Sequence, residues 1–336
     1  MKVGNRFAFR RDQSLGKIRS TVITLVAFLV SIAAIDVWFQ RSTAVSESYA
    51  TRAAIAVNQQ VAVKSFEPIS TGLAARQSFG FFDDIGDNSW NKMRKKAVTF
   101  QQYQNPKNPN AGSADPWKWY IRNLQPDFTC QHVIRVGGHG DGPKWVCDPH
   151  RLRTRDNCLI YSFGSNGNYL FEDSMLDLVG KGQCEIHVFD FGDFDRPQNP
   201  DKRIHYHQWG LGSSYDQAYN EKIKKRAGEQ EVLTFQEIQR RLNHEDRTID
   251  LFKIDCEGCE WRNYKDWIGV DARQVQIEVH GLPSSNGSDF FDAFRDNSFA
   301  MFSKEHNQYT KHCYEFSYVK LSDEFWDKSE LTAQIK

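Results

Sequence analysis

The sequence has no net charge, no second long apolar run and no internal repeat. Its 43 lysine and arginine residues balance 43 aspartate and glutamate residues, which excludes a strongly basic nucleic-acid-binding protein. The single apolar run excludes a membrane protein with several spans. Hydrophobic residues make up 40% and charged residues 26% of the chain, so a mostly disordered chain is also excluded. The 336 residues allow one large catalytic domain with a stem, or two modest domains.

The neutral total conceals a basic amino terminus. Residues 1–20 contain six basic residues against the single acid Asp12. An uncharged apolar run follows at 21–35, and a helix over 21–39 would extend about 28 Å, enough to cross a bilayer core. We therefore predict a cytosolic head over 1–20, a transmembrane signal anchor over 21–39 and a type II protein of the Golgi or endoplasmic reticulum with a lumenal catalytic domain. A cleaved signal peptide is the alternative.

The chain after this run changes composition twice. A polar, alanine-rich segment leads to a predicted helix over 89–104, and a run rich in proline, asparagine and glycine follows at 105–116. Aromatic residues then return. We predict a stem and linker over 40–115 and a catalytic domain over 116–330.

All seven cysteines lie between residues 130 and 313. In a lumenal protein they can form disulfides, although seven reduced thiols remain the alternative. The spacing favours two pairs, Cys130 with Cys147 and Cys158 with Cys184. Cys256 and Cys259 have no second pair at zinc spacing, so we predict two small buried residues and no metal. The odd count leaves at least one thiol unpaired.

Short apolar segments alternate with helical patterns from residue 158 onward. We predict strands over 158–163, 185–190, 203–208, 249–255 and 275–280, and a terminal strand pair over 299–305 and 314–321. Helices are predicted over 169–179, 233–242, 260–267 and 289–296, the second capped by Thr234. This order is typical of an α/β fold with a mostly parallel sheet, in which ligands bind beyond the carboxyl ends of the strands.

Two of these strand ends carry residues suited to a nucleoside ligand. The first strand is followed by Gly164, Ser165, Asn166 and Gly167, which permit a tight turn and a close backbone approach to a ligand. This turn lacks the G-x-G-x-x-G spacing, which argues against NAD. Asp190 ends the second strand and could accept both hydroxyls of a ribose. An ordinary turn and a capping aspartate are the alternatives.

The fourth strand ends in a cluster of charges. Lys253 and Asp255 share one side of the strand, and Glu257 follows. His280 ends the next strand and has the intrinsic pKa of a proton acceptor. A histidine bonded to a nearby carbonyl is the alternative.

Several of these segments resemble a known family. IDLFKIDCEGCEW resembles the FkbM-type methyltransferase pattern K-I-D-x-E-G-x-E, and CLIYSFGSNG, CEIHVFDFG and QVQIEVHG are similar to segments of membrane-anchored methyltransferase-like proteins. The resemblance covers residues 130–326. It implies a Rossmann-like class I fold whose seven-stranded, mostly parallel sheet has an antiparallel last strand, and S-adenosylmethionine as the cofactor.

The resemblance also implies roles for single residues. The cofactor would contact the Gly164–Gly167 turn, including Ser165 and Asn166, and also Asp190 and Asp255. Glu257, His280 and Asp255 would be the candidates for removing a proton from the acceptor, and the sequence does not rank them. FkbM-type relatives suggest O-methylation, often of carbohydrate, so we expect a glycan or small-molecule acceptor, membrane attachment through the single helix, and no nucleic-acid partner.

Two other functions stay open at this point. Asp193, Phe194 and Asp195 form a D-x-D after a strand, a pattern that can bind a metal with a nucleotide sugar in a glycosyltransferase. The turn after the first strand also lacks the common G-x-G of methyltransferases, which would suit a non-catalytic binding module with the same fold.

Overall fold

The computed structural model of the protein describes residues 81–99, 117–180, 184–195, 203–281 and 287–326. The chain divides into two compact units, Met1–Glu67 and Pro68–Lys336, and every described residue belongs to the second. The predicted head, the anchor at 21–39 and most of the predicted stem lie outside the described residues. Among the helices that are described, none is both long and apolar enough to cross a bilayer.

The described residues form strands that belong to one large sheet and two small ones. In chain order they are β1 Val133–Val136, β2 Lys144–Cys147, β3 Cys158–Phe163, β4 Cys184–Phe189, β5 Ile204–His207, β6 Trp209–Leu211, β7 Glu231–Leu233, β8 Leu251–Ile254, β9 Gln274–His280, β10 Phe299–His306 and β11 Cys313–Lys320. The small sheets are an antiparallel β1–β2 hairpin and a parallel β6–β7 pair.

The large sheet has seven strands in the order β10-β11-β9-β8-β3-β4-β5. β11 runs antiparallel to both of its neighbours, and the other six strands point in one direction. The predicted α/β class, the mostly parallel sheet and the antiparallel last strand are therefore confirmed. The predicted terminal strand pair is confirmed as β10 and β11.

Helices cover both faces of this sheet. They are α1 Asp87–Thr99, α2 Trp117–Arg122, α3 Leu170–Val179, α4 Gln217–Ala227, α5 Phe235–Leu242, α6 Glu260–Trp267, α7 Gly287–Asp296 and α8 Asp323–Trp326, with a 3-10 helix at Pro149–Thr154. All six residues of β3 are buried, as expected for a parallel strand that is covered on both sides.

Two apolar cores lie on opposite faces of the sheet. One contains Phe235, Trp267 and Phe290 from α5, α6 and α7. The other contains Trp90 and Phe171 from α1 and α3. Residues 81–99, which belong to the predicted stem segment, thus contribute to the core of the catalytic unit.

Disulfides join the pairs that the sequence favours. Cys130 bonds to Cys147, and Cys158 bonds to Cys184. The second pair occupies facing positions at the start of β3 and β4, with Cα atoms 4.4 Å apart. A further disulfide, which the sequence did not predict, joins Cys256 to Cys259. Our expectation of two small buried residues is confirmed for Cys259 and wrong for Cys256, which is only partly buried. Cys313 is free and buried.

Candidate active site

The strand ends that the sequence selects lie side by side. β9, β8, β3 and β4 are consecutive in the sheet and parallel, so the residues that follow them meet at one edge. A cavity of about 610 Å³ opens there, within the range typical of small-molecule sites. Most of the predicted site residues line it, namely Gly164, Ser165, Asn166, Asp190, Asp255 and Glu257. Gly167 and His280 are not among the lining residues.

Gly164 brings two loops of the cavity into direct contact. Its amide donates to the carbonyl oxygen of Phe189 at 2.9 Å, and its φ of +78° lies in the region that favours glycine. A Cβ atom at this position would lie 1.7 Å from the carbonyl oxygen of Asp255. Lys253 supports the same turn, because its Nζ donates to the Gly164 carbonyl oxygen at 3.0 Å. The turn after β3 therefore presses against the loop after β8.

Asp190 fixes the shape of this turn. Its Oδ2 accepts hydrogen bonds from the amides of Ser165 at 3.1 Å and Asn166 at 3.0 Å. Its Oδ1 accepts from the amide of Gly192 at 3.0 Å. A carboxylate offers about four acceptor positions, so one remains for a ligand hydroxyl. The predicted role in binding both ribose hydroxyls remains a prediction, and this geometry allows one such bond without rearrangement.

Four aromatic residues, Phe163, Phe189, Phe191 and Trp209, form an apolar wall of the cavity beside Asp190. The sequence analysis did not predict this wall. Phe163 and Phe189 end neighbouring strands, and their rings stack with centroids 4.4 Å apart. Phe191 and Trp209 also line the cavity. Flat apolar surfaces of this kind suit a nucleobase, so the wall, the glycine turn and the free acceptor position of Asp190 fit an adenosyl cofactor.

A buried lysine links Asp255 to two further carboxylates. Lys144 on β2 places its Nζ 3.2 Å from an oxygen of each of Asp255, Glu278 and Glu315. Burial opposes charge on the lysine, but the three carboxylates outweigh it and raise the pKa of Lys144. Burial raises the pKa of Glu315 to about 7, against the opposing effect of Lys144.

The same charges keep Asp255 ionised. Burial alone would raise the pKa of Asp255, but Lys144, Lys253 and His280 together lower it. A carboxylate with a lowered pKa is a weak proton acceptor.

His280 lies among carboxylates just outside the cavity wall. Its Nδ1 is 3.0 Å from Glu260 Oε1, and its Nε2 is 3.6 Å from Glu257 Oε2 and 3.9 Å from Asp255 Oδ1. Burial would lower the pKa of His280, but its bonds to Cys313 and Glu260 outweigh burial and raise the pKa to about 12. The ring therefore carries a proton at neutral pH, and it is poorly suited to accept another.

Glu257 has an uncommon backbone conformation at the cavity wall. Its φ is +59°, a region that residues other than glycine rarely adopt, and its side chain is 73% exposed. Such conformations are concentrated at functional sites. The Cys256–Cys259 disulfide encloses this residue in a short covalent loop.

The D-x-D segment does not place its acids on the cavity wall. Within the described residues, Phe194 lines the cavity, whereas Asp193 and Asp195 do not. The Phe194 ring instead packs against Gly192 and against Gly167 of the turn after β3. A metal and nucleotide-sugar site at these acids has no support from this geometry.

A known family model matches most of this chain. Residues 72–320 match a family described as a methyltransferase domain. No curated protein matches the chain significantly. Solved structures with similar folds include fibrillarin from Methanococcus jannaschii, at 9% identity and a TM-score of 0.30, covering 50% of this chain and 68% of that one. Fibrillarin from Aeropyrum pernix with bound S-adenosylmethionine shares 10% identity at a TM-score of 0.29, covering 56% and 82%.

A human methyltransferase 10 domain containing protein is similar at 10% identity and a TM-score of 0.27, covering 56% of this chain and 78% of that one. The family match spans most of the chain and includes the whole described sheet. It agrees with the adenosyl-sized cavity at the carboxyl ends of the strands. The chain therefore belongs to the methyltransferase-domain family and is an S-adenosylmethionine-dependent methyltransferase.

Proposed function

We propose that this enzyme methylates a hydroxyl oxygen of a glycan or of another hydroxyl-bearing acceptor in the secretory pathway. The observation that carries the proposal is the pair of carboxylates, Asp255 and Glu257, on the wall of the cofactor-sized cavity. A hydroxyl is a weak nucleophile until its proton is removed, so its methylation benefits from a nearby base.

The cavity offers both backbone groups and aromatic rings for binding the cofactor. S-adenosylmethionine, when bound, supplies a methyl group that is already activated on a sulfonium. The turn from Gly164 to Gly167 offers a close backbone approach, and the rings of Phe189 and Trp209 offer flat apolar surface. Asp190 offers its remaining acceptor position to a hydroxyl. These residues orient the reactants and exclude water, which supplies most of the rate enhancement when the methyl donor is already activated.

Of the three predicted proton acceptors, Glu257 is the best suited. His280 already holds a proton, and Asp255 has a lowered pKa because Lys144, Lys253 and His280 surround it. Glu257 lines the cavity, and its side chain is largely exposed. His280 would then stabilise the carboxylate of Glu257 before transfer, and Asp255 would help to position His280.

The proposed location rests on two independent features. The described region contains three disulfides, which are typical of proteins that fold in an oxidising compartment. The sequence predicts a signal anchor that would place this region in the lumen. Glycans are abundant hydroxyl acceptors there.

The first experiment tests the cofactor site. Calorimetry with S-adenosylmethionine on the full chain should detect binding. Asp190→Ala should weaken this binding at least about tenfold, because the amides of the turn after β3 lose the carboxylate that accepts their hydrogen bonds. A ligand hydroxyl would lose its acceptor as well. The matched control is Asp193→Ala, a nearby acid that does not line the cavity. Equal binding by wild type and Asp190→Ala would contradict the role of Asp190.

The second experiment tests the acceptor. The purified full chain is incubated with methyl-tritiated S-adenosylmethionine and with glycans, protein and RNA isolated from cells, and the label is measured in each of these three classes. We expect label in glycans that survives mild alkali, because methyl ethers are stable there whereas methyl esters release methanol. Glu257→Gln should reduce this label about 100-fold or more while cofactor binding is kept. Label confined to protein or RNA would overturn the proposed acceptor.

A further inference from the structure

A group of histidines lies on the edge of the sheet, away from the charges around His280. Glu185 and His187 are two residues apart on β4, and His205 and His207 are two residues apart on β5. Side chains at this spacing point to the same face of a strand, so all four share one face of the sheet. The parallel register sets His187 directly beside His205. Their rings stack with centroids 4.9 Å apart.

Three donor atoms in this group are close enough to share one ion. Glu185 Oε1 is 3.0 Å from His187 Nε2 and 3.8 Å from His205 Nε2, and all three atoms lie within 4.8 Å of one another. Donors bound about 2.0 Å from a tetrahedral zinc ion lie about 3.3 Å apart. The observed separations bracket that value, so only small side-chain rotations are needed for one ion to contact all three atoms.

The outer partners of these donors are also in place. Glu185 Oε2 accepts a hydrogen bond from Arg247 Nη1 at 2.8 Å, which orients the carboxylate. His187 Nδ1 lies 2.8 Å from His207 Nε2. Metal-binding histidines generally donate their second ring N–H to such a partner. His244 is the remaining imidazole nearby, and its Nε2 is 3.0 Å from Arg247 Nη1.

The site combines a fixed inner ligand with two accessible ones. The side chain of His187 is 5% exposed, whereas those of Glu185 and His205 are 37% and 43% exposed. An ion can therefore enter from solvent, and water can complete its coordination.

We propose that Glu185, His187 and His205 form a binding site for a divalent transition metal ion, with zinc as the best match. Two imidazoles and one carboxylate suit zinc better than magnesium or calcium, which prefer oxygen ligands. Without metal, His187 Nε2–H donates to Glu185. In the same state His207 Nε2–H donates to His187 Nδ1. On binding, both rings change tautomer: His187 Nδ1–H then donates to His207 Nε2, and His207 carries its proton on Nδ1. No proton is gained or lost.

The metal site would support the wall of the cofactor cavity. His207 stacks on Trp209 with ring centroids 4.6 Å apart, and Phe189 follows His187 on the same face of β4. Trp209 and Phe189 both line the cavity. An ion that fixes the histidines would thus hold the rings of Trp209 and Phe189 in place. The proposed metal site does not depend on which acceptor the enzyme methylates.

The test is zinc binding by the full chain without a histidine tag. Reductant is omitted so that Cys256 and Cys259 stay joined and cannot bind zinc. Calorimetry and elemental analysis after dialysis should find one equivalent of zinc. His205→Ala and Glu185→Gln should each weaken binding about 100-fold, whereas the matched control His312→Ala, an exposed histidine elsewhere, should not.

Both affected side chains are partly exposed, so the variants should fold, and circular dichroism checks this. The proposal is overturned if the wild-type chain binds no zinc. It is equally overturned if folded His205→Ala and Glu185→Gln bind zinc as tightly as the wild type, because the ion would then lie elsewhere.

Discussion

At the scale of single residues, the cavity depends on contacts that are too close or too deeply buried to tolerate another side chain. Gly164 touches the loop after β8, and Lys144 neutralises part of the charge of three carboxylates. Neither contact joins neighbours in sequence.

Gly164→Ala should destabilise the fold and abolish cofactor binding. The added methyl would meet the Asp255 carbonyl oxygen at 1.7 Å, and backbone rather than a flexible side chain would have to move. The matched control is Gly138→Ala, which has a nearly identical positive φ of +80° but nothing within 4 Å of the added Cβ. We expect the control to lose about 1–2 kcal/mol from backbone strain alone, and Gly164→Ala to lose clearly more in urea denaturation. Equal losses would show that the loops are not in contact.

Lys144→Met should lower the free energy of unfolding by about 3–5 kcal/mol, because the buried Glu278 and Glu315 and the partly buried Asp255 lose their ammonium partner. The loss should depend on pH. Burial raises the folded-state pKa of Glu315 from 4.5 to about 7, so the folded state loses stability as pH rises through this range. The variant should therefore be most destabilised above the pKa of Glu315 and less so well below it.

Urea denaturation above and well below the pKa of Glu315 measures this difference. The exposed Lys222→Met is the control. A destabilisation of Lys144→Met that stays constant with pH would contradict the assigned charges.

The sequence predicted much of this site because strand ends follow from apolar patterning. Asp190 and Asp255 each follow a short apolar run, and the parallel order of the strands brings them together. Lys144 could not be predicted, since it lies 111 residues from Asp255 and its hairpin packs there only in three dimensions. The proton on His280 was also not predictable, because it depends on Cys313 and Glu260 from other elements.

At the scale of elements, helix α5 shows local signals that agree with the fold. Thr234 Oγ1 accepts a hydrogen bond from the amide of Glu237, and the Glu237 carboxylate accepts one from the amide of Thr234. The predicted cap is confirmed. Helix α4 was missed because only Ile223 and Ala227 are buried along it, which leaves no clear apolar periodicity.

Thr234→Ala should lower the free energy of unfolding by about 1 kcal/mol, because the first turn of α5 loses its side-chain acceptor. Glu237→Gln is the matched control, since glutamine can still accept the reciprocal bond. Urea denaturation of the two variants measures the difference. A neutral Thr234→Ala would mean that tertiary packing alone fixes this helix end.

At the scale of the whole molecule, covalent links hold both ends of the sheet. The Cys158–Cys184 disulfide closes the amino ends of β3 and β4, and the Cys256–Cys259 disulfide lies at the opposite edge beside the cavity. All seven cysteines fall within the described residues, and Cys313 is the free one.

The protein purified without reductant should therefore expose one reactive thiol after unfolding. Alkylation with iodoacetamide followed by mass spectrometry should label Cys313 alone, and prior reduction should label all seven cysteines. Labelling of Cys158 or Cys184 without reduction would contradict the proposed oxidising location.

The position of β11 has a consequence for biosynthesis. This strand is the last of the sheet in sequence, yet it lies between β10 and β9 and brings Glu315 to Lys144. A nascent polypeptide cannot attach β10 to the rest of the sheet until its final strand has left the ribosome. A premature stop codon before this strand would therefore split the sheet rather than shorten it, leaving a translated product without a complete catalytic unit.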